Sequence, residues 1–276
     1  MPELPEVEIA ARQLRGWLGG RLLVDVELLD PGLLSGAWAA RGPAALQPLV
    51  GARVDAVGRR GKNLLIRVGG LCLHLHLRMT GQLVRGFDLP RFARLRLSPE
   101  GAPPVTFVDP RRFGTLQPLD TDAERALEAS LGPEPWPDRR SGAWWAARFA
   151  GARAPIKVAL LDQSRVAGLG NILATEALFS ASLAPDRSVA SLRPEEWARL
   201  ADAVPACVDH VLAVESAEAL TYVNLGGVNP FAVYGRAGEP CPRCGAPIER
   251  FVQAGRGTWW CPPCAQAAEI EGAGRR

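Results

Sequence analysis

Two C-x-x-C knuckles near the carboxyl end, Cys241-Pro-Arg-Cys244 and Cys261-Pro-Pro-Cys264, constrain this chain more than any other feature. Sixteen residues separate them, a spacing that brings four thiolates to one tetrahedral ion and folds the intervening chain into a hairpin. One structural zinc is expected on Cys241, Cys244, Cys261 and Cys264. Four cysteines leave no open coordination position, so the metal would hold structure rather than perform chemistry. Disulfides are disfavoured because the amino terminus lacks the basic start and apolar core of a secretion signal. The other cysteines, Cys72 and Cys207, lie among apolar neighbours and are expected in the core. Between the knuckles, Gln253 to Thr258 reads as a hairpin tip before Trp259-Trp260.

At the other end stands MPELPEVE. Initiator methionine is commonly removed before a small residue such as Pro2, which would leave a secondary amine as the first group of the chain. An α-amino group titrates near pH ~8, so roughly a tenth is unprotonated at neutrality without any burial. Attack of such an amine on a sugar's anomeric carbon gives a permanently charged iminium, an electron sink for later eliminations. Glu3 and Glu6 stand beside it, one suited to protonating the opening ring and the other to holding the amine. Pro5 and the acidic residues suit the start of a helix, and Val7, Ala10, Leu14 and Leu18 recur at helical spacing.

With 276 residues the chain has room for two domains. No apolar run reaches the length of a membrane span, so a cytoplasmic protein is expected. The net charge of +3 is unevenly spread. Residues 53–112 hold twelve Lys and Arg against four Asp and Glu, whereas residues 141–276 hold thirteen of each. A basic surface that follows phosphates would have this pattern. Cations are almost all arginine; the two lysines are Lys62 and Lys157. An ammonium is compact and titratable where a guanidinium is neither. Lys62, in the turn Arg59-Arg60-Gly61-Lys62, therefore suits a phosphate ligand or a stabiliser of a reacting centre.

From Ala52 the chain reads as successive strands. Leu64 to Val68 and Leu71 to Leu77 flank a Gly69-Gly70 turn, and further strands are expected at Arg94 to Leu97, Val105 to Val108 and Gly114 to Leu119. This predicts an antiparallel sandwich or barrel. The Pro- and Gly-rich stretch Leu131 to Gly142 marks a boundary. Helices are expected at Trp144 to Phe149, Ile156 to Leu161, Ile172 to Phe179, Pro194 to Val204 and Cys207 to Ala219. Before the third of these, Ala167-Gly-Leu-Gly-Asn171 aims backbone donors at an anion, with Asn171 near the cap.

These motifs together resemble the bacterial formamidopyrimidine-DNA glycosylases, relatives of endonuclease VIII, over nearly the whole chain. The resemblance implies an α+β fold: an N-terminal helix and antiparallel β-sandwich (2–135), a helix-two-turn-helix domain (143–225) and a zinc-finger hairpin (235–270). It implies a monomeric bifunctional glycosylase and abasic-site lyase of base excision repair, acting on duplex DNA with oxidised or missing bases. Pro2 would displace the base, Glu3 assist ring opening, Glu6 position the amine and Lys62 support the reacting centre. Met79, Arg111 and Phe113 match the residues that fill the void left by an extruded base. His76, Lys157, Asn171 and Arg256 fall where the family contacts phosphates, although a strand histidine satisfied by the core also fits His76. Relatives carry a Gly- and Thr-rich loop over an extruded 8-oxoguanine. The stretch Ala219 to Ala232 lacks that signature and is shorter, which favours formamidopyrimidines over 8-oxoguanine. Two other readings use the same features: an endonuclease VIII-like enzyme on oxidised pyrimidines, and a zinc-ribbon DNA-binding protein without catalysis. The second leaves MPELPEVE and Lys62 unexplained.

Overall fold

The structure is a computed structural model that describes residues 2–214 and 229–266. The chain divides into two compact units, the first ending at Ser130 and the second beginning at Leu131.

The first unit opens with helix α1 (Leu4–Leu18), whose Leu4, Val7, Ala10, Leu14 and Leu18 are fully buried. The predicted 3.6-residue spacing produces that face. Eight strands follow: β1 (Leu23–Leu28), β2 (Val54–Arg60), β3 (Asn63–Val68), β4 (Leu71–His76), β5 (Gln82–Arg85), β6 (Ala93–Pro99), β7 (Val105–Val108) and β8 (Thr115–Leu119). They form two antiparallel four-stranded sheets, ordered β1-β6-β7-β5 and β2-β3-β4-β8. The sandwich is thus realised and not the barrel. Its interior is filled by alternate residues of both sheets, among them Ile66, Leu73, Leu75, Leu95, Phe107 and Leu116, with Leu14 and Leu18 of α1.

Three parts of this unit were not anticipated by the sequence reading. Residues 35–49, which have little pattern, form short 3-10 turns at Gly36–Trp38 and Gly42–Leu49. The short strand β5 was not foreseen. Nor was helix α2 (Thr121–Ser130), which buries none of its residues and so carries no apolar stripe to betray it. Glu124 and Glu128 tie it to the sheet through Arg67 and Arg60.

The second unit holds α3 (Gly142–Arg148), α4 (Ile156–Leu160), α5 (Asn171–Ser180) and α6 (Pro194–Val214), then the hairpin β9 (Glu249–Gln253) and β10 (Arg256–Trp260). Trp145 stacks on Phe149 and Phe149 on Trp197, pinning α3 to α6. The break expected near Pro205 is absent, and α6 runs through it. Ala201, Val204, Pro205 and Val208 share one buried face, and that burial outweighs the hydrogen bond a proline lacks. No helix among the described residues is long and apolar enough to cross a membrane.

Candidate functional site

The amino end is built around carboxylates. Glu3 is the N-cap of α1 and Glu6 its third residue, and they form a reciprocal capping box. The Glu6 carboxylate accepts the Glu3 N–H at 2.8 Å, which fixes the peptide that follows Pro2. Pro2 is buried, and Glu3 is only 1 % exposed. Two acids are thus held beside a proline at the positive end of a helix.

A third acid was missed by the sequence reading. Glu8, also buried, accepts from Arg12 at 2.9 Å and Arg59 at 3.1 Å. Burial pushes its carboxyl up, but hydrogen bonds and charge from Arg12 and Arg59 more than offset this and hold it below the usual range. Arg59 also donates to the Gly61 carbonyl at 3.0 Å. The helix is thereby linked to the loop that presents Lys62. In that two-residue loop Gly61 has φ +57, a conformation that side chains rarely adopt.

His76 lies on β4, half-buried, with its Nδ1 accepting the Arg78 N–H at 3.0 Å. Burial, with Arg78, His74 and Lys62 close by, pushes its imidazole down to about 3. It is neutral at physiological pH. Any phosphate contact it makes is therefore a hydrogen bond from Nε2 and not an ion pair.

Met79, Arg111 and Phe113 are brought to one edge by a residue that sequence reasoning overlooked. Asp109 is 0 % exposed, and its carboxylate accepts the Thr80 hydroxyl together with the N–H groups of Arg111, Phe113 and Gly114. One buried carboxylate therefore ties the Met79-Thr80 turn to the Arg111-Phe113 turn. Gly114 is required there, since a Cβ would lie 2.6 Å from the Phe107 ring. Phe113 remains 49 % exposed, with the Arg111 guanidinium 4.7 Å from its ring centre. An Asp opening the turn Asp109-Pro-Arg-Arg-Phe-Gly was the available signal.

In the second unit Lys157 and Asn171, both expected at phosphates, converge on the hairpin that carries Arg256. Lys157 is 1 % exposed, and its ammonium donates to the Gly257 carbonyl at 3.0 Å and the Thr258 hydroxyl at 2.6 Å. Asn171 is the first residue of α5, with Gly170 as the cap, and its Nδ2 donates to the same Gly257 carbonyl at 3.1 Å. Both side chains hold the residue next to Arg256, which is exposed at the hairpin tip. Glu176 was also missed. The one acid of α5, it accepts the N–H groups of Ala232, Val233 and Tyr234, and so anchors the chain entering the cysteine module.

The four cysteine sulfurs lie within 4.8 Å of one another, with Cys241 to Cys264 at 3.7 Å and Cys244 to Cys261 at 3.4 Å. A disulfide needs ~2.05 Å. A tetrahedral metal with bonds of ~2.3 Å sets sulfurs about 3.8 Å apart, so the cluster can hold a metal ion. Cys72 is buried as expected. Cys207 is half-buried in the wall of a cavity of about 230 Å³, and its thiol is pushed up to about 12 by burial, which leaves it unreactive. The shortened loop inferred within 219–232 lies largely outside the described residues.

Comparison with known proteins covers up to 96 % of the chain. Residues 1–116 match the profile of the formamidopyrimidine-DNA glycosylase N-terminal domain, 131–221 that of its H2TH domain, and 238–267 the zinc finger found in FPG and IleRS. Formamidopyrimidine-DNA glycosylase of Gluconobacter oxydans is 40 % identical over 280 residues, spanning 96 % of this chain and 99 % of the relative. That of Acidiphilium cryptum is 41 % identical over 275 residues, spanning 95 % and 98 %. Among solved structures, the Lactococcus lactis Fpg in complex with DNA containing an abasic site superposes with a TM-score of 0.83 at 32 % identity, spanning 96 % of this chain and 99 % of that one. The same enzyme with DNA containing N7-benzyl-Fapy-dG gives 0.83 at 31 %, spanning 96 % and 100 %. With three family models matched in order and relatives about 40 % identical over 95–96 % of its length, the chain belongs to the formamidopyrimidine-DNA glycosylase family.

Proposed function

We propose that this enzyme excises oxidised purines from duplex DNA and then cuts the strand at the resulting abasic site, using the amine of Pro2 after removal of Met1. The observation that carries the reading is the capping box at Glu3 and Glu6, which fixes the Pro2-Glu3 peptide in a buried setting at the end of α1. The amine attacks C1′ and the base leaves, taking up the proton that the amine gives up; Glu3 protonates the ring oxygen as the sugar opens, which leaves an iminium. Glu6 holds the peptide that bears the amine. Lys62 supports the developing charge. The iminium acidifies C2′–H, so loss of that proton expels the 3′ phosphate, and loss of the C4′ proton from the conjugated iminium then expels the 5′ phosphate, a β,δ-elimination. Met79, Arg111 and Phe113 fill the void opposite the lesion, while His76, Asn171 and Arg256 contact the backbone and Lys157 supports Arg256 through the hairpin.

Cys241, Cys244, Cys261 and Cys264 hold one zinc, whose contribution is to stiffen the module that presents Arg256. As a chromosome repair enzyme it works in the cytoplasm on the nucleoid. Formamidopyrimidines are the preferred bases and 8-oxoguanine a poorer one, a reading that rests on the short Gly- and Thr-poor sequence of 219–232. The oxidised-pyrimidine reading keeps some support, because the Lactococcus lactis Fpg has been solved with DNA containing an oxidised pyrimidine.

Borohydride reduction with abasic duplex tests the chemistry. A covalent adduct on Pro2 is expected; an active enzyme that retains Met1, or one never trapped, overturns the reading. Single-turnover release from matched duplexes ranks the lesions, and a rate on 8-oxoguanine at or above that on formamidopyrimidine refutes the stated preference.

A further inference from the structure

The second sheet turns one face to the core and the other outward, and the outward face carries a hydrogen-bonded relay. Register sets Leu65 opposite His74 and His74 opposite Gln117. Asn63, two residues before Leu65, shares that face. Gln117 Nε2 lies 3.3 Å from His74 Nδ1, and His74 Nε2 lies 2.7 Å from Asn63 Oδ1. Asn63 Nδ2 donates to the Arg60 carbonyl at 2.9 Å.

The proton positions follow from the ends. Because the Asn63 amide nitrogen donates to Arg60, its oxygen is the acceptor, so His74 carries its proton on Nε2 and accepts from Gln117 at Nδ1. Burial, with the Arg78 charge nearby, holds His74 below the usual imidazole range, in keeping with that neutral form. The far end is fixed as well. The Ser35 hydroxyl reaches Gln117 Oε1 at 3.5 Å, and a Cβ on Gly36 would come within 2.8 Å of that oxygen.

The near end closes the turn from Arg60 to Asn63, whose two-residue tip is Gly61-Lys62. Arg59, tied to Glu8, holds the Gly61 carbonyl of the same tip. The loop is thus gripped twice, once from α1 and once from the sheet. A loop this short offers its ammonium in one place only if its peptides cannot pivot.

We propose that Asn63 and His74 are positioning residues for Lys62, setting through the Arg60 carbonyl the place at which the lysine meets the reacting centre. This rests on the reading of Lys62 given above. A charged group misplaced by ~1 Å costs up to roughly a hundredfold in rate, whereas affinity for DNA draws on many other contacts. The relay therefore acts on the rate of strand cutting and not on binding.

The test compares Asn63→Leu, His74→Phe, His74→Gln and Lys62→Ala with the parent enzyme. Single-turnover cutting of an abasic duplex is measured beside the Kd for a duplex carrying a non-cleavable abasic analogue. Asn63→Leu and His74→Phe are expected to cut about tenfold more slowly, with Kd within about twofold. His74→Gln, which keeps a donor for Asn63, is expected to recover to within about threefold of the parent. Adding His74→Phe to Lys62→Ala should cost nothing further, since both act through one group. If Lys62→Ala is slow while Asn63→Leu and His74→Phe cut at the parental rate, the relay is overturned and the lysine reading stands. If Lys62→Ala itself cuts at the parental rate, both fall. Parallel losses of rate, affinity and thermal midpoint, with His74→Gln no better than His74→Phe, would mark a purely structural role and overturn the proposal too.

Discussion

The ammonium of Lys157 donates to the hydroxyl of Thr258 at 2.6 Å, joining α4 to the strand β10 that leaves the hairpin tip. A lysine that a basic sequence would present to phosphates is here a buried strut. Lys157→Met removes a charged donor from Thr258 and from the Gly257 carbonyl, at a cost of about 1.5–3 kcal/mol for each hydrogen bond. DNA affinity is expected to fall about tenfold or more on that scale. The loss should not grow when Arg256→Ala is added, because both changes remove the same contact. Titration of the single and double variants against an abasic-analogue duplex checks this; fully additive losses would show that Lys157 acts apart from Arg256.

Asp109 and Arg111 lead to a second expectation. Arg111 is expected to donate to the base orphaned opposite the lesion, and a good paired contact gives ~1–3 kcal/mol of discrimination, roughly ten- to hundredfold. Arg111→Ala should therefore flatten the opposite-base preference without unfolding the protein. Asp109→Ala should flatten it as well, but with a loss of about 2–4 kcal/mol of stability, since buried N–H donors lose their acceptor. Cutting rates against each of the four opposing bases, with urea denaturation alongside, separate the two effects. An unchanged preference in Arg111→Ala removes the void-filling role from this turn.

What the sequence revealed and what it hid divide along physical lines. Patterns that act locally were legible: the buried stripe of α1, the Gly69-Gly70 hairpin, the cysteine knuckles and the hairpin tip before Arg256. Features that arise only when distant segments meet were not. Asp109 reads as a polar turn residue until Thr80 is seen beneath it. The partner of Lys157 is a hydroxyl on a strand 101 residues away. Nothing marks His74 and Asn63 as neighbours before the register of β3 and β4 is known. Helix α2, held by ion pairs and not by an apolar stripe, left no periodic signal, whereas Pro205 gave a false stop that burial along α6 overrides.

Metal loss bears on the same hairpin. Cys241, Cys261, Ile248, Phe179 and Val233 form one small buried cluster, so the module has little apolar interior of its own and is expected to rely on the proposed zinc. Cys244→Ser, or treatment with a strong chelator, should release about one zinc per chain and greatly weaken abasic-duplex binding while the first unit keeps its fold. Metal content, circular dichroism and binding are the measurements. A protein that has lost its zinc yet binds abasic DNA as before would remove the supporting role of the module.

Glu196 sets an acid limit on the second unit. Its side chain is 0 % exposed and accepts from Arg187 at 2.5 Å, from the Arg193 guanidinium at 3.2 Å and from the Arg193 N–H at 2.8 Å. Burial pushes the carboxyl up, but the hydrogen bonds of Arg187 and Arg193 and the charge of Arg187 overcome it, and the group titrates at about 2. The folded value lies below the unfolded one of 4.5. The stabilisation is therefore fully present above pH 4.5 and disappears as pH falls towards 2. At 1.36 kcal/mol per unit, this difference is worth on the order of 3 kcal/mol at neutrality. Glu196→Gln, which cannot ionise, should be less stable than the parent by that order at pH 7, with the gap closing steadily below pH ~4.5. Urea denaturation of both proteins from pH 7 to pH 3 measures the gap. A gap that stays constant across that range would mean that the cost of the substitution comes from packing or lost hydrogen bonds and not from the charge held among these arginines.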